Sequence, residues 1–257
     1  MTTPDYEYYG LLVRYWDLMR GDTSSWPDRP FYLEVIKEHG QPVLDLGCAA
    51  GRLLIDYLLQ GIDIDGVDIS PEMISICKQN AEEKNLSPNL YVQSMTELNL
   101  PRKYKTILIP SSTIQLLLEP NSPLQAMQRI YAHLESGGAL ASPFMTIWEE
   151  GTPLENEFTR EAARPQDGAI VRRKGWTRFN PETKMEDTRD VWEVIKDGQV
   201  IESEVHEQAP ATRSYDQEEA VALFEQAGFK DVRIYSGFTF DPVKPEDTLF
   251  SVVGIKP

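Results

Sequence analysis

The residues best suited to ligand chemistry lie in a small-residue loop, Asp45 to Gly51, with the sequence DLGCAAG. Pro42 to Leu46 has the continuous apolar character of a short buried strand, and Arg52 to Leu59 is predicted to be a helix. Glycine permits positive φ angles and lets a ligand approach the backbone closely. The N-terminus of the following helix presents free N–H groups, which suit a carboxylate or a phosphate. The loop therefore predicts a binding site for a ligand that carries an anionic group.

An acidic residue follows this loop at a distance that suits a nucleoside. Ile62 to Ile69 is predicted to be the second strand, and Asp68 lies near its end. A carboxylate about 20 residues after such a loop can accept hydrogen bonds from a ribose diol. A glycine loop alone is a weak motif, and the alternative is a tight turn with Asp68 as an ordinary helix cap. The two features together favour the ligand site.

Polar side chains follow the apolar run Thr106 to Pro110, which predicts a further strand. They are Ser111, Ser112, Thr113 and Gln115. Open α/β sheets bind ligands at the carboxyl ends of their strands, so this segment is predicted to face the reacting centre. The alternative is a helix start capped by a serine or threonine.

Alternating strands and helices over the first 150 residues must position these groups, and they indicate a parallel sheet in an α/β fold. After residue 150 the pattern changes. Residues 151–168 predict a loop or a short irregular helix, and three antiparallel strands are expected over Ile170 to Phe179, Glu186 to Ile195 and Val200 to Ala209. A helix from Tyr215 and two paired strands follow. We therefore expect lid helices and a core over residues 1–150, a β insert over 151–215, and a C-terminal completion of the core sheet over 216–257.

Composition excludes several classes of function. The chain has 257 residues and a formal net charge of -16, which repels phosphate backbones and argues against nucleic acid and anionic membranes as partners. Two cysteines provide no disulfide framework, no apolar run approaches the roughly 20 residues of a membrane span, and no signal peptide is visible. These features predict a cytoplasmic protein. The three histidines are scattered, so no metal-ligand spacing exists.

The loop, Asp68 and two further segments resemble the class I methyltransferases that use S-adenosylmethionine (SAM). The second motif, Val67 to Met73 (VDISPEM), is the closest match. Leu134 to Leu140 (LESGGAL) resembles the turn before the fifth strand of this family, and Ala227 to Phe229 (AGF) resembles its C-terminal end. The resemblance implies an α/β fold with a seven-stranded, mostly parallel sheet, helices on both faces and a reversed last strand. The antiparallel insert looks like the cap of small-molecule methyltransferases, including amino-sugar and glycine-type N-methyltransferases.

The resemblance also assigns a set of residues to the cofactor SAM, or to its product S-adenosylhomocysteine (SAH). Gly47, Ala49 and Gly51 would cradle the methionine end, Asp68 would bind the ribose, and Asp45 would orient the loop. The full set is Asp45, Gly47, Cys48, Ala49, Gly51, Asp68, Ile69, Met73, Ser94, Met95 and Pro110. Ile69 or Met73 would pack on the adenine, and the Met95 N–H would face the adenine ring.

Three positions depart from the family pattern. Ala49 replaces the usual middle glycine, which is tolerable if its φ stays negative. Ser94 stands where an acid commonly receives the adenine amino group, and Lys105 stands where an aspartate usually opens the fourth strand. Ser94 and Lys105 motivate the alternative of a protein that binds SAM or SAH without catalysis.

Two residues are candidates for catalysis and one for binding an acceptor carboxylate. Tyr15 lies on the N-terminal helix, and an aromatic face attracts a sulfonium or ammonium cation. His206, on the third predicted insert strand, can accept a proton at neutral pH, and Arg213 can hold a carboxylate bidentately. The alternatives are packing for Tyr15 and a surface position for His206.

The basic and aromatic segment Arg172 to Phe179 admits two interpretations. Such a composition can bind nucleic acid. The neighbouring strand carries acidic residues, among them Glu186, Asp187, Asp190 and Glu193. Cross-strand ion pairing is therefore the favoured interpretation.

Together the patterns predict methyl transfer from SAM to nitrogen or oxygen of a small-molecule acceptor by in-line displacement. This reaction needs no protein nucleophile, and positioning alone can supply about 7–11 kcal/mol. A non-catalytic SAM-binding or SAH-binding protein is one alternative. A protein methyltransferase, with an open groove for its acceptor, is another, and a homodimer through the insert strands stays open.

Replacement of Asp68 by alanine is expected to weaken SAM binding roughly tenfold or more, because a hydrogen bond to a charged group contributes about 1.5–3 kcal/mol. Calorimetric titration of the variant with SAM measures the change. An unchanged affinity would remove Asp68 from the site.

Overall fold

The computed structural model describes Tyr6 and residues 8–257, and the strands follow one another as the alternating pattern predicts. The strands are β1 (Val43–Leu46), β2 (Ile64–Asp68), β3 (Leu90–Val92), β4 (Tyr104–Leu108), β5 (Leu134–Met145), β6 (Glu155–Ala163), β7 (Ile170–Asn180), β8 (Met185–Lys196), β9 (Gln199–Arg213), β10 (Lys230–Ser236) and β11 (Leu249–Ile255). The α-helices are α1 (Gly10–Arg14), α2 (Trp16–Arg20), α3 (Asp28–His39), α4 (Arg52–Leu59), α5 (Pro71–Glu82), α6 (Ser122–His133) and α7 (Gln217–Gln226).

Seven of the described strands form one sheet in the order β10-β11-β5-β4-β1-β2-β3. The pairs from β3 to β5 are parallel, whereas β11 runs antiparallel to both of its neighbours. Every residue of β1 and β2 is buried, as expected when helices cover both faces of a parallel sheet. The predicted seven-stranded sheet with a reversed last strand is confirmed.

A crevice must form where β1 lies between β2 and β4. The chain leaves β1 for β2 on one side and later returns to β4 on the other side. The loops that follow β1 and β4 therefore diverge at their carboxyl ends, and ligands of open α/β sheets bind at this point. The small-residue loop and the segment after residue 109 both lie here.

A separate antiparallel sheet has the order β6-β7-β8-β9. The prediction of a loop or a short irregular helix over residues 151–168 was wrong, because β6 occupies half of that segment. This strand lies at an edge and is largely exposed, so its residues carry charges and lack an alternating apolar pattern. Phe158 is its one large apolar side chain, and it faces Gly175 of β7.

The basic segment of β7 is neutralised by neighbouring strands. Arg172 contacts Glu161 at 2.5 Å and Glu193 at 3.5 Å, and Lys174 contacts Glu193 at 3.2 Å. The favoured prediction of cross-strand ion pairing is confirmed. Glu161 belongs to β6, so one of these three contacts comes from the strand that the sequence did not reveal.

The two ends of the insert are tied together by Gln115. Its amide donates to the carbonyls of Met145, at 3.1 Å, and Arg213, at 2.5 Å, and its oxygen accepts from the Met145 N–H at 2.7 Å. Gln115 is fully buried. Its prediction as a substrate-binding residue is replaced by a structural role, because its polar atoms are already used by backbone groups.

Arg213 also faces away from the reacting centre. Its guanidinium lies 4.6 Å from the ring centroid of Tyr215 and 3.6 Å from Glu219. These contacts hold the end of β9 against α7. The structure therefore places Arg213 in the joint between insert and core, and its predicted contact with an acceptor carboxylate is not supported.

None of the helices in the described part of the chain is long and apolar enough to cross a membrane.

Candidate active site

A large cavity of about 880 Å³ opens at the crevice. It is lined by the loops after β1, β2 and β4, by the N-terminal helices and by one face of the four-stranded sheet. Most of the residues predicted to bind cofactor or acceptor line it: Asp45, Gly47, Cys48, Ala49, Asp68, Ile69, Met73, Ser94, Met95, Pro110, Ser111, Ser112 and Thr113. The sequence thus located the floor of the cavity.

The glycines of the loop serve different purposes. Gly47 has a φ of 86°, and a methyl group there would come within 3.0 Å of the Thr113 side chain. Gly51 has a φ of 89° and precedes α4, where a methyl group would lie 2.7 Å from the Cys77 sulfur. Gly51 does not line the cavity. It shapes the turn, while Gly47 brings the loop against the segment that follows β4.

Ala49 adopts a backbone conformation that usually requires glycine. Its φ is 47°, so the condition of a negative φ is not met. A non-glycine residue in this region costs roughly 1–2 kcal/mol. The backbone N–H of Ala49 donates to Asp68 Oδ2 at 2.9 Å, and this hydrogen bond helps to hold the loop in its strained conformation.

Asp68 connects the loop to the start of α5. Its two carboxylate oxygens accept from the N–H groups of Ala49 and Ser70, each at 2.9 Å. Burial raises the pKa of this carboxyl, and the backbone donors oppose that shift. A carboxylate has about four lone-pair sites, so acceptor capacity is left for a ligand. The contact with a ribose stays a prediction.

Asp45 is the most deeply buried acid of the site. Burial raises its pKa to about 7, and the nearby Arg52 opposes the shift. Its Oδ1 has no hydrogen-bond partner among the described residues. A buried oxygen without a partner is costly, so this atom is suited to accept a hydrogen bond from a ligand in the cavity.

The side chains around the predicted adenine site differ in how they reach the cavity. Ile69 is exposed, whereas Met73 is fully buried beneath the N-terminal helices. The Ser94 hydroxyl lies 2.8 Å from the Thr96 hydroxyl and caps the short turn that starts at Met95. Its oxygen is therefore already engaged locally.

Lys105, the remaining departure from the family pattern, and Cys48 of the small-residue loop both have structural explanations. Lys105 pairs with Glu135 at 3.0 Å and lies outside the cavity. The thiol of Cys48 lies at the cavity wall, and its hydrogen bond with Cys77, together with burial, raises its pKa well above the usual value. Cys48 therefore stays protonated.

Ser111 and Ser112 both adopt the left-handed conformation, each with a φ of 56°. Ser112 forms no side-chain cap on the short 3-10 helix Thr113–Leu116, so the alternative of a capped helix start is wrong. Two consecutive strained residues persist only when their surroundings hold them, and such residues cluster at active sites. Thr113 completes the segment by donating to the Pro110 carbonyl at 2.6 Å.

Sequence reasoning missed a cationic end of the cavity. Arg20 and Arg52 both lie over the ring of Trp26, with centroid distances of 4.8 and 5.0 Å. Arg52 is paired with Asp28, whereas Arg20 has no ion pair with a carboxylate among the described residues. Burial and the neighbouring Arg52 lower the pKa of Arg20. One signal was available in the sequence. Arg52 is a cation at the N-terminus of α4, where the helix dipole disfavours positive charge, so its position there indicates a specific role.

The insert supplies a second set of residues that the sequence did not single out. One face of the four-stranded sheet closes the cavity opposite the small-residue loop. Its lining residues are Arg173, Thr188, Asp190, Gln208, Pro210, Ala211 and Thr212. Their sequence carries no motif, since they come together only when β7, β8 and β9 pair.

The two predicted catalytic residues lie outside the cavity lining. The Tyr15 hydroxyl accepts from Arg164 at 2.9 Å, and its ring is buried in the apolar cluster between the N-terminal helices and the insert. His206 belongs to β9, the fourth strand of the insert, and Tyr9 covers its ring at 4.4 Å. Its Nε2 lies 2.7 Å from Glu204. The packing alternative therefore holds for Tyr15, and His206 is buried where an acceptor cannot reach it.

Replacement of Ala49 by glycine is expected to leave the fold as stable or stabilise it by up to about 1 kcal/mol, because the strain of the left-handed conformation is relieved. Chemical denaturation measures the change. Ala50→Gly is the matched control, since Ala50 has no positive φ, and it should destabilise the protein by roughly 0.5–1 kcal/mol. Equal destabilisation by both changes would contradict the strain at Ala49.

Comparison with known proteins agrees with this architecture. Residues 43–138 match a family model described as a methyltransferase domain. A protein of Geobacillus sp. (strain WCH70), named as a methyltransferase, is 28% identical over 136 residues, which cover 51% of this chain and 55% of the relative. The chain thus spans about half the length of that relative.

Two solved structures share the fold over nearly the whole chain. An S-adenosylmethionine-dependent methyltransferase from Clostridium acetobutylicum ATCC 824 has a TM-score of 0.76 at 18% identity and covers 94% of this chain and 96% of its own. The sugar N-methyltransferase KedS8 from Streptoalloteichus sp. ATCC 53650 has a TM-score of 0.71 at 19% identity and covers 100% and 98%. Residues 43–138 therefore match a methyltransferase domain, and the chain shares the fold of S-adenosylmethionine-dependent methyltransferases over nearly its whole length.

Proposed function

We propose that this protein transfers the methyl group of SAM to nitrogen or oxygen of a small-molecule acceptor. The observation that carries the proposal is one cavity that is lined both by the predicted cofactor residues and by the predicted acceptor residues. Its volume of about 880 Å³ lies near the upper end of the range of about 300–1,000 Å³ for small-molecule sites. The space suits a cofactor and a small acceptor side by side.

The residues of the cavity fit the methionine end of SAM, which is a zwitterion. The unpartnered Oδ1 of Asp45 is suited to accept from its ammonium group. Arg20, whose guanidinium lacks a carboxylate partner among the described residues, is suited to its carboxylate. The open backbone at Gly47 admits the chain between these ends. When bound, SAM supplies a methyl group on a positively charged sulfur.

The protein's contribution to the reaction is positioning and exclusion of water. Ser111, Ser112 and Thr113 lie beside Gly47, so an acceptor against this segment reaches the methionine end of the cofactor. Holding two reactants in an in-line arrangement can supply about 7–11 kcal/mol. The rigid, strained segment after β4 is suited to that task, because its conformation is fixed before the ligands arrive.

The enclosure of the cavity favours a small molecule over a protein acceptor. Trp16 and Arg20 of the N-terminal helix line one side, and residues of β7, β8 and β9 line another. A protein methyltransferase needs an open groove for a peptide. The two departures that motivated a non-catalytic protein, Ser94 and Lys105, have local structural partners and leave the floor of the cavity intact.

The proposal predicts that the protein binds SAM and SAH with micromolar affinity and forms SAH when given an acceptor. Calorimetry measures binding, and mass spectrometry of SAH formation measures turnover with a panel of small amines and hydroxy compounds. Binding without SAH formation across the panel would favour the non-catalytic alternative. Absence of binding by the folded protein would contradict the proposal itself.

Arg20→Gln is expected to weaken SAH binding roughly tenfold or more, because a hydrogen bond to a charged group is lost. Binding of 5′-methylthioadenosine, which lacks the amino-acid end, should stay within about twofold. Arg14→Gln is the matched control, since Arg14 is exposed on the neighbouring helix and pairs with Glu202. Equal loss of both ligands in Arg20→Gln would mean that Arg20 only supports Trp16 and Trp26.

A further inference from the structure

Cross-strand pairing places a row of polar side chains on the cavity face of the insert. Gly175 of β7, Asp190 of β8 and His206 of β9 face one another in register. Two residues away, Thr188 is paired with Gln208. Opposed residues share a face of a sheet, and alternate residues along each strand do so too. Thr188, Asp190 and Gln208 therefore point the same way, and all three line the cavity.

Asp190 is a buried acid that a neighbouring arginine holds in place. Only 8% of the residue is exposed, and Arg173 donates to its Oδ2 at 2.6 Å. The guanidinium of Arg173 is itself fixed between the rings of Phe158 and Trp192, at 5.1 and 5.5 Å from their centroids. Its position is thus set before any ligand binds.

Gly175 makes room for this arrangement. A methyl group at position 175 would overlap the ring of Phe158 and come within 2.7 Å of Asp190 Oδ1. The absent side chain lets the carboxylate lie over the β7 backbone. No hydrogen bond to Asp190 Oδ1 is formed by the residues that the structure describes, so one oxygen remains able to accept from a ligand.

The stability of the fold does not explain such a pair. Taking two charges out of water costs several kcal/mol per ion, and replacing a buried ion pair by apolar residues is often neutral or stabilising. On the same face of the sheet, next to the pair Arg173 and Trp192, two apolar residues are paired instead. They are Val171 and Val194, which pack in the apolar cluster beneath the N-terminal helices. An ion pair kept at a cavity wall is better explained by recognition of a ligand.

The chemistry of the row favours one class of ligand. Arg173 donates through Nη2 to Asp190 Oδ2, and its Nε has no hydrogen-bond partner among the described residues. The free acceptor of the pair is Asp190 Oδ1. Thr188 and Gln208 can donate or accept. A protonated amine is the natural partner of a buried carboxylate, and the net charge of -16 raises the local concentration of cations at the surface. An anionic acceptor would face Asp190 directly.

We propose that Asp190 is the specificity-determining residue for the acceptor, and that it selects a hydroxylated amine whose amino group binds Oδ1 while hydroxyls contact Thr188 and Gln208. Arg173 is a positioning residue that acts through Asp190. This inference rests on the proposed function, since it assumes that the cofactor occupies the floor of the cavity.

A charge series on one scaffold tests the proposal. The probes are glucosamine, glucose and glucuronate, which carry a positive, no and a negative charge, each titrated by saturation-transfer NMR against protein saturated with SAH. The wild type should bind glucosamine roughly tenfold or more tightly than glucose, as a hydrogen bond to a charged group implies, and glucuronate most weakly. In Asp190→Asn this preference should fall to within about twofold.

Glu193→Gln is the matched control, because Glu193 lies on the same strand and pairs with Arg172 and Lys174 outside the cavity. It should keep the preference of the wild type. If Asp190→Asn fails to fold because Arg173 is left unpaired, the double variant Arg173→Gln, Asp190→Asn removes both charges and should also lose the preference.

The outcomes separate this subsite from the proposed function. Loss of SAH binding by the wild type contradicts the function and the subsite together. Intact SAH binding overturns the subsite alone if glucosamine does not bind, if glucuronate binds as tightly, or if Asp190→Asn keeps the preference.

Discussion

The crevice between the carboxyl ends of β1 and β4 is the constraint on which the rest of the structure depends. Parallel strands must send their connections over the faces of the sheet, and the chain turns in opposite directions on the two sides of β1. The small-residue loop and the strained serines after β4 therefore lie on opposite sides of the crevice and leave it open. A methyl group at position 47 would come within 3.0 Å of the Thr113 side chain, so Gly47 allows the two segments to approach closely.

Buried charge is distributed around this crevice with partial compensation. Arg52 is neutralised by Asp28 and Arg173 by Asp190, whereas Asp45 and Arg20 lack full partners among the described residues. Because desolvation penalises each isolated charge, Asp45 and Arg20 are electrostatically costly. The paired charges mark the walls of the site, and the incompletely paired ones mark where a zwitterionic ligand gains most.

The sequence predicted the features that depend on neighbours along the chain. Strand, small-residue loop, helix and second strand succeed one another between residues 42 and 69, so the local pattern was enough to place Gly47 and Asp68. The lining from β7 to β9 escaped prediction because Arg173 and Asp190 meet only through strand pairing. The edge strand β6 escaped because its charged, exposed residues lack the apolar period. His206 was predicted to accept a proton, and it is paired in register with Asp190 of the cavity wall. Tyr9 covers its ring, and no pattern in the sequence reports that contact.

The insert leaves and re-enters the core at one point. The Tyr215 N–H donates to the Met145 carbonyl at 3.2 Å, and the Ile147 N–H donates to the Ser214 hydroxyl at 2.9 Å. Because its two ends are adjacent, the length and sequence of the insert can change without moving the strands of the core. Mutation can therefore remodel β6 to β9 while the cofactor loops stay untouched. In evolutionary terms, such a chain can change the wall of the cavity that the insert supplies and keep the floor that the core sheet supplies.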